Sequence, residues 1–135
     1  MKNTSEYPLY FETCNGTVSA SLSRSAFRAL RNMRYCLPWS SDGKRGLAYC
    51  DPFVYEELEQ QLHDDLKDAA LANRIIHSVS YRHELDSPDR LSVPWPAARY
   101  AGINGNAVLI RLSEHALLLQ ADPPAKQPQD EKTPV

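Results

Sequence analysis

The sequence predicts an α+β fold from three observations. Two Asn-Gly pairs, at residues 15–16 and 104–105, each lie between short segments in which apolar residues recur, as in β-hairpins with two-residue turns. One long amphipathic segment, residues 51–73, has the length and period of a helix. A shorter basic segment, residues 23–36, has the same period. We therefore expect a small antiparallel sheet, built from the two hairpins and packed against both helices.

The first hairpin is predicted over residues 7–22. Apolar and aromatic side chains alternate with other side chains in residues 7–14 and again in residues 17–22. The Asn15-Gly16 pair between them favours a type I′ turn, because both residue types tolerate positive φ.

The basic helix follows, over residues 23–36. Ser23 or Ser25 supplies a side-chain oxygen for the first turn. Its apolar face consists of Ala26, Phe27, Leu30 and Met33. The prolines, glycines and serines of residues 37–50 favour a loop that ends in a short extended piece.

The long helix is predicted over residues 51–73. Asp51 is placed to cap its first turn, Pro52 fits the first helical position, and Asn73 suits a left-handed cap at the far end. The opposite surface of this helix is rich in charge, so it is not a membrane span. The side chains predicted to be buried are Val54, Tyr55, Leu58, Leu62, Leu66 and Ala69.

The remaining segments are less regular. Residues 75–82 fit a strand, with a helix continuing to about Ser78 as the alternative. Residues 83–97 contain three prolines and suit an irregular segment or a sheet edge. The second hairpin is predicted over residues 99–112, and residues 115–120 fit a final strand or a short helix.

Composition indicates one globular domain, residues 1–120, and a proline-rich tail, residues 121–135, that we expect to be disordered. The 135 residues are 42% hydrophobic and 24% charged, with a formal net charge of -2. Three cysteines form an odd set without a C-x-x-C pair, which favours a reducing compartment over a disulfide scaffold. No signal peptide or membrane-spanning stretch is evident, so we expect a cytoplasmic protein without a membrane partner.

The candidate interaction surface is basic. Between residues 18 and 50, six basic side chains accompany one acid, Asp42, whereas residues 51–68 carry seven acids and one lysine. Arginines spaced i, i+4 and i+7 share one helical face. The candidate residues are Arg24, Arg28, Arg31, Arg34, Trp39, Lys44 and Arg45.

Three interpretations of this surface remain open. The basic side chains can pair internally with the acidic helix, bind an acidic surface of a protein partner, or bind nucleic-acid phosphates. Nucleic acid is the less favoured partner, because no RNA- or DNA-recognition motif accompanies the arginines.

Catalysis has no local signature in this chain. His63, His77 and His83 lie near carboxylates, but no histidine pair has helical metal-ligand spacing, so we expect surface histidines and no cofactor or metal. Neither a nucleophile elbow nor a phosphate-binding loop is present.

The sequence therefore favours a small cytosolic, non-enzymatic protein-binding module, regulator or inhibitor that acts through charged surfaces and an exposed tryptophan loop. The alternatives are a nucleic-acid-binding protein that uses the Arg24 to Arg45 surface, and an enzyme whose histidine and carboxylate meet only in the fold.

Overall fold

A computed structural model of the chain describes residues 6–41, 43–85 and 89–126. The strands are β1 (Glu6–Cys14), β2 (Thr17–Ser21), β3 (Tyr35–Ser41), β4 (Lys44–Cys50), β5 (Tyr81–Arg82), β6 (Arg90–Val93), β7 (Gly105–Ser113), β8 (Ala116–Ala121) and β9 (Ala125–Lys126). The helices are α1 (Arg24–Leu30), α2 (Tyr55–Leu66), α3 (Ala69–Val79) and α4 (Trp95–Ala101). The prediction of a mixed α and β architecture is therefore confirmed.

All of these strands join one antiparallel sheet. Their order across it is β5-β3-β4-β8-β7-β1-β2-β6, and β9 pairs with β4. The sheet curls into a half-barrel, so that β5 and β6, its two edges, line one gap. The main core fills its inner side and includes Phe11, Leu30, Tyr49, Leu109 and Leu119.

The first hairpin forms at its predicted turn. Asn15 and Gly16 have φ of 56° and 79°, and they connect the paired residues Cys14 and Thr17. Ser23 caps α1, since its Oγ accepts the Ala26 N–H at 3.1 Å. The predicted helix over residues 23–36 is nevertheless too long, because the chain has entered the sheet as β3 by Tyr35.

The loop predicted from residue 37 is wrong, because residues 37–41 lie in β3 and residues 44–50 lie in β4, with which β3 pairs. The short extended piece predicted at its end, residues 47–50, does lie in β4. Pro38, one of the residues that favoured a loop, pairs with Leu47. On the other side of β3, β5 pairs only with Tyr35 and Cys36, so Pro38 lies where β3 is an edge strand. Proline is compatible with that position.

The single helix predicted over residues 51–73 is also wrong, because two helices occupy this segment. Asp51 accepts the Phe53 N–H at 3.0 Å, but α2 begins only at Tyr55. Lys67 adopts a left-handed conformation, with φ of 60°, and ends α2. Asp68 then caps α3 by accepting the Leu71 N–H at 3.1 Å. Because α3 continues to Val79, the helical alternative holds beyond Asn73. Of the strand predicted over residues 75–82, only Tyr81–Arg82 is extended, as β5.

The second predicted hairpin, residues 99–112, is also wrong, because its first strand is not formed. Its first half belongs to α4, which ends at Gly102 with φ of 68°. The Ile103 N–H donates to the Ala98 carbonyl at 2.9 Å, which closes the helix end. The Asn104-Gly105 pair therefore connects a helix to β7 instead of joining two strands.

The end of the chain extends the sheet. Residues 116–121 form β8, and Ala125–Lys126 pair with Arg45 and Lys44 of β4. Strand β9 therefore lies beyond the predicted boundary at residue 120, and residues 127–135 of the predicted tail lie outside the described residues. Within the described ranges, no helix is long and apolar enough to cross a membrane.

A second, smaller cluster lies on the other face of the sheet and is called here the outer cluster. It consists of the buried Leu37, Cys50 and Ala116 and the half-buried Tyr35, Val54, Tyr55 and Leu58. On this face α2 packs against β3. The neighbouring strand β8 is buried along its whole length.

Candidate functional site

The structure divides the predicted basic surface into two groups. Arg31 and Arg34 lie just before β3, at the base of the central hairpin, whereas Lys44 and Arg45 lie at its tip. At about 3.3 Å per residue, the length of β3 separates the two groups by roughly 20 Å. The two groups therefore line different cavities.

The first group belongs to a cavity of about 390 Å³, which we call the arginine cleft. Its arginines come from the end of α1, from the turn before β3, and from β5. Its lining residues are Phe27, Arg31, Arg34, Arg82, His83, Glu84 and Leu85. Arg24 and Arg28 are exposed on α1 and do not line the cleft.

In the described part of the chain, no salt bridge joins a guanidinium group of the cleft to a carboxylate, although Glu84 also lines the cleft. The ion pair seen there joins His115 to Asp51, away from the cleft. Arg34 donates to the Arg31 carbonyl at 3.1 Å, which helps to satisfy the end of α1. Pairing of Arg31, Arg34 or Arg82 with the acids of α2 is not seen among these residues. With three arginines and Glu84, the lining of the cleft has a net positive charge.

Apolar side chains accompany this charge. Phe27 and Leu85 are half-buried and pack against the main core. Guanidinium groups bind carboxylates and phosphates with two parallel hydrogen bonds. The arginine cleft thus combines groups that bind an anion with a surface that suits an apolar side chain.

His83 is buried beside this cleft, which overturns its prediction as a surface histidine. It is 2% exposed, and its ring lies 4.8 Å from that of Tyr49. The pKa of His83 is lowered to about 4, mainly by burial and also by the charge of Arg34, while a hydrogen bond to the Leu30 backbone opposes the shift. His83 is therefore neutral at pH 7, and its Nε2 has no hydrogen-bond partner in the described structure.

The second group borders a cavity of about 440 Å³, called here the tryptophan cavity. It is lined by Arg45, Ser78, Val79, Trp95, Pro96, Arg99 and Tyr100. The Arg45 guanidinium lies 5.2 Å from the centre of the Tyr100 ring, within the range of a cation–π contact.

The exposed tryptophan is Trp95 and not Trp39. Trp95 is 51% exposed at the start of α4. Trp39, predicted in an exposed loop, lies part-buried in β3, where its carbonyl accepts a hydrogen bond from the Tyr100 hydroxyl at 3.1 Å. The prediction of an exposed loop at Trp39 is therefore wrong.

A histidine and a carboxylate do meet, but they are not a predicted pair. His115 Nδ1 lies 2.7 Å from Asp51 Oδ2, and the Phe53 ring is 4.7 Å from the imidazole. Partial burial raises the pKa of Asp51, but hydrogen bonds from His115 and from backbone N–H groups lower it more, so the net shift is downward. The enzyme alternative named His63, His77 and His83, and within the described residues none of these contacts a carboxylate.

Two important members of the arginine cleft were missed from the sequence. Arg82 and Leu85 lie about fifty residues after Arg31, and no local motif connects them. The pairing of β5 with β3, which places Arg82 opposite Tyr35, brings them to α1. Only the long-range pairing of these two strands shows that Arg82 and Leu85 lie near α1.

No protein-family model matches this sequence, and no curated protein matches it significantly. The geometry of the two cavities therefore carries the functional argument.

Proposed function

We propose that this protein is a binding module whose arginine cleft takes an acidic segment of a partner protein. The observation that carries the proposal is the set of three guanidinium groups, at Arg31, Arg34 and Arg82, without described carboxylate partners. Hydrogen bonds between charged groups are stronger than neutral ones, and arginine favours carboxylates geometrically.

The surroundings of these arginines favour a peptide over a bare polyanion. Phe27 and Leu85 offer apolar contact to a side chain that lies beside the carboxylates. The net charge of -2 and the acidic α2 repel a long phosphate backbone elsewhere on the molecule. A short acidic segment with apolar residues satisfies both features.

We also propose that the protein acts by binding its partner and that it does so in the cytosol. A module of this kind acts as a regulator or inhibitor by occupying the acidic segment of its partner. The thiols of Cys14, Cys36 and Cys50 are all free, which supports a reducing, cytosolic environment.

The test measures fluorescence anisotropy with a labelled octapeptide of alternating Glu and Leu, and with a Gln-for-Glu version as the neutral probe. Arg31→Glu with Arg82→Glu reverses two charges inside the cleft. Arg24→Glu with Arg28→Glu makes the same change outside it. We expect the first pair to weaken binding of the acidic peptide by at least about 100-fold, because each charged hydrogen bond contributes about 1.5–3 kcal/mol.

The control pair should weaken binding only a few-fold, through the general field of the surface. Equal losses from the two pairs would show that net charge, and not the cleft, attracts the peptide. Absence of binding by the unaltered protein at micromolar concentration would reject the proposed function.

Nucleic-acid binding is the second candidate, and the tryptophan cavity is the observation that favours it. An exposed Trp95 beside Arg45 and Arg99 combines a stacking surface with phosphate-binding groups. A labelled oligothymidine tests it in the same assay. Binding that is lost in Trp95→Ala but retained in Arg31→Glu with Arg82→Glu, and that weakens steeply with salt, would favour this candidate.

A further inference from the structure

Among the described residues, no strand pairs with β6 on the side away from β2. Its register with β2 pairs Val18 with Val93 and Ser19 with Ser92, and the Leu22 N–H donates to the Asp89 carbonyl at 2.8 Å. Hydrogen-bonded pairs alternate along an antiparallel ladder. The backbone groups of Arg90 and Ser92 therefore point away from β2, toward the outer edge.

That edge faces a gap between the two ends of the sheet. The gap is a cavity of about 310 Å³, and its lining includes Tyr81 and Arg82 of β5, Glu84, Ser92 of β6, and Pro94. Arg82 and Glu84 also line the arginine cleft. The gap and the cleft are thus adjacent and share two side chains.

Across the gap, β5 also has backbone groups that point away from its neighbouring strand. The His83 N–H donates to the Arg34 carbonyl at 2.9 Å, and by the same alternation the backbone groups of Arg82 point away from β3. As far as the described residues show, the sheet is therefore open at both of its edges, on either side of one cavity. An extended segment that enters this cavity meets free backbone donors and acceptors.

We propose that the acidic segment binds as an added β-strand on β6, with its backbone bonded to Arg90 and Ser92 and its carboxylates at the arginine cleft. This inference rests on the proposed function. Backbone hydrogen bonds supply affinity in strand addition, and alternate side chains supply specificity. Charge complementarity identifies the occupant, because three arginines and one acid, Glu84, line the cleft into which the gap continues.

The features that end β6 define the length of the added strand. Pro94 follows directly and has no N–H to donate, and β6 itself spans four residues. The Arg90 guanidinium donates to Ser19 Oγ at 2.8 Å and Ser21 Oγ at 3.3 Å, so it lies across β2 and leaves the edge of its own backbone open. A short extended segment is the ligand that fits.

The test removes one edge donor while keeping the β2 ladder. Ser92→Pro deletes an N–H that faces the gap, and Ser92→Ala is the matched control that keeps it. With the Glu-Leu octapeptide, we expect Ser92→Pro to weaken binding at least tenfold and Ser92→Ala to bind like the unaltered protein. If Ser92→Pro binds fully while Arg31→Glu with Arg82→Glu does not, strand addition is rejected and the proposed function stands.

A second measurement does not depend on the folding of the proline variant. Two octapeptides carry N-methyl groups on alternate residues, one on the Glu set and one on the Leu set. Strand addition predicts a loss of tenfold or more for one set and little change for the other, because only alternate amides face β6. Equal binding of both sets by the unaltered protein rejects strand addition, and failure of every peptide to bind rejects the proposed function as well.

Discussion

The two faces of the sheet are packed differently, and the elements that line the arginine cleft are packed against only one of them. The main core is continuous, and α1 and β5 reach it through Phe27, Tyr81 and Leu85. The outer cluster has three buried residues, and α2 reaches it through half-buried side chains. The arginine cleft is therefore positioned by the main core, while α2 covers the outer face. The predictions below test this division.

Truncation of leucine should separate the two faces most clearly. Leu119 is fully buried in the main core, whereas Leu58 is half-buried over the outer cluster. We expect Leu119→Ala to lower the free energy of unfolding by about 3–5 kcal/mol and Leu58→Ala by about 1–2 kcal/mol, because a cavity forms fully only at the first site. Urea unfolding measures both. Similar losses would show that the outer cluster is as tightly packed as the main core.

The division between the two faces also predicts how Leu58→Ala affects peptide binding. Leu58→Ala should leave the affinity for the Glu-Leu octapeptide unchanged, since α2 does not contribute to the arginine cleft. A tenfold loss in this variant would show that α2 helps to position the cleft.

Acid should weaken the main core through His83. Its pKa is about 4 in the folded protein, against an ordinary value near 6.5. Between these values the unfolded chain binds a proton that the folded protein does not, so the stability supplied by neutral His83 is complete above pH 6.5 and is lost as pH falls toward 4. The loss by pH 4 is roughly 3 kcal/mol.

Variants at two histidines isolate this effect in urea unfolding at several pH values. His83→Gln should remove most of this decline, whereas His63→Gln, at a partly exposed position on α2, should retain it. The lowered pKa of Asp51 acts in a different window, below about pH 4, so it does not blur the comparison. Parallel curves for the protein and His83→Gln would show that His83 is not the group responsible.

The predictability of the fold depended on whether a signal was local. The Asn15-Gly16 turn and the Ser23 cap each depend on neighbouring residues, and both lie where the sequence placed them. The Asn104-Gly105 pair carries the same local signal, but the packing of α4 determined its context. Pro38 suggested a loop because its tolerance at a sheet edge depends on a distant strand, β5.

In the candidate site, too, the residues with a local signal were predicted and those brought in by distant strands were not. Arg31 and Arg34 were predicted because they lie on or beside one short helix. Arg82 and Leu85 were missed because the pairing of β5 with β3 brings them to that helix. The contact of His115 with Asp51, 64 residues apart, has no local signature either. Periodicity identifies faces of single elements, and sites built between elements require the topology.

The smallest expected effect concerns the boundary between α2 and α3. Lys67 has φ of 60°, a conformation that costs a residue with a side chain about 1–2 kcal/mol and costs glycine almost nothing. Glycine also loses more entropy on folding, so we expect Lys67→Gly to stabilise the protein by a net of about 0.5–1 kcal/mol in urea unfolding. The matched control is Gln61→Gly, at an exposed position within α2, which should destabilise by about 1 kcal/mol. One continuous helix over residues 51–73 would make both substitutions destabilising. The sign of the Lys67→Gly effect therefore distinguishes two helices, with α2 a separate cover on the outer face, from the single helix that the sequence predicts.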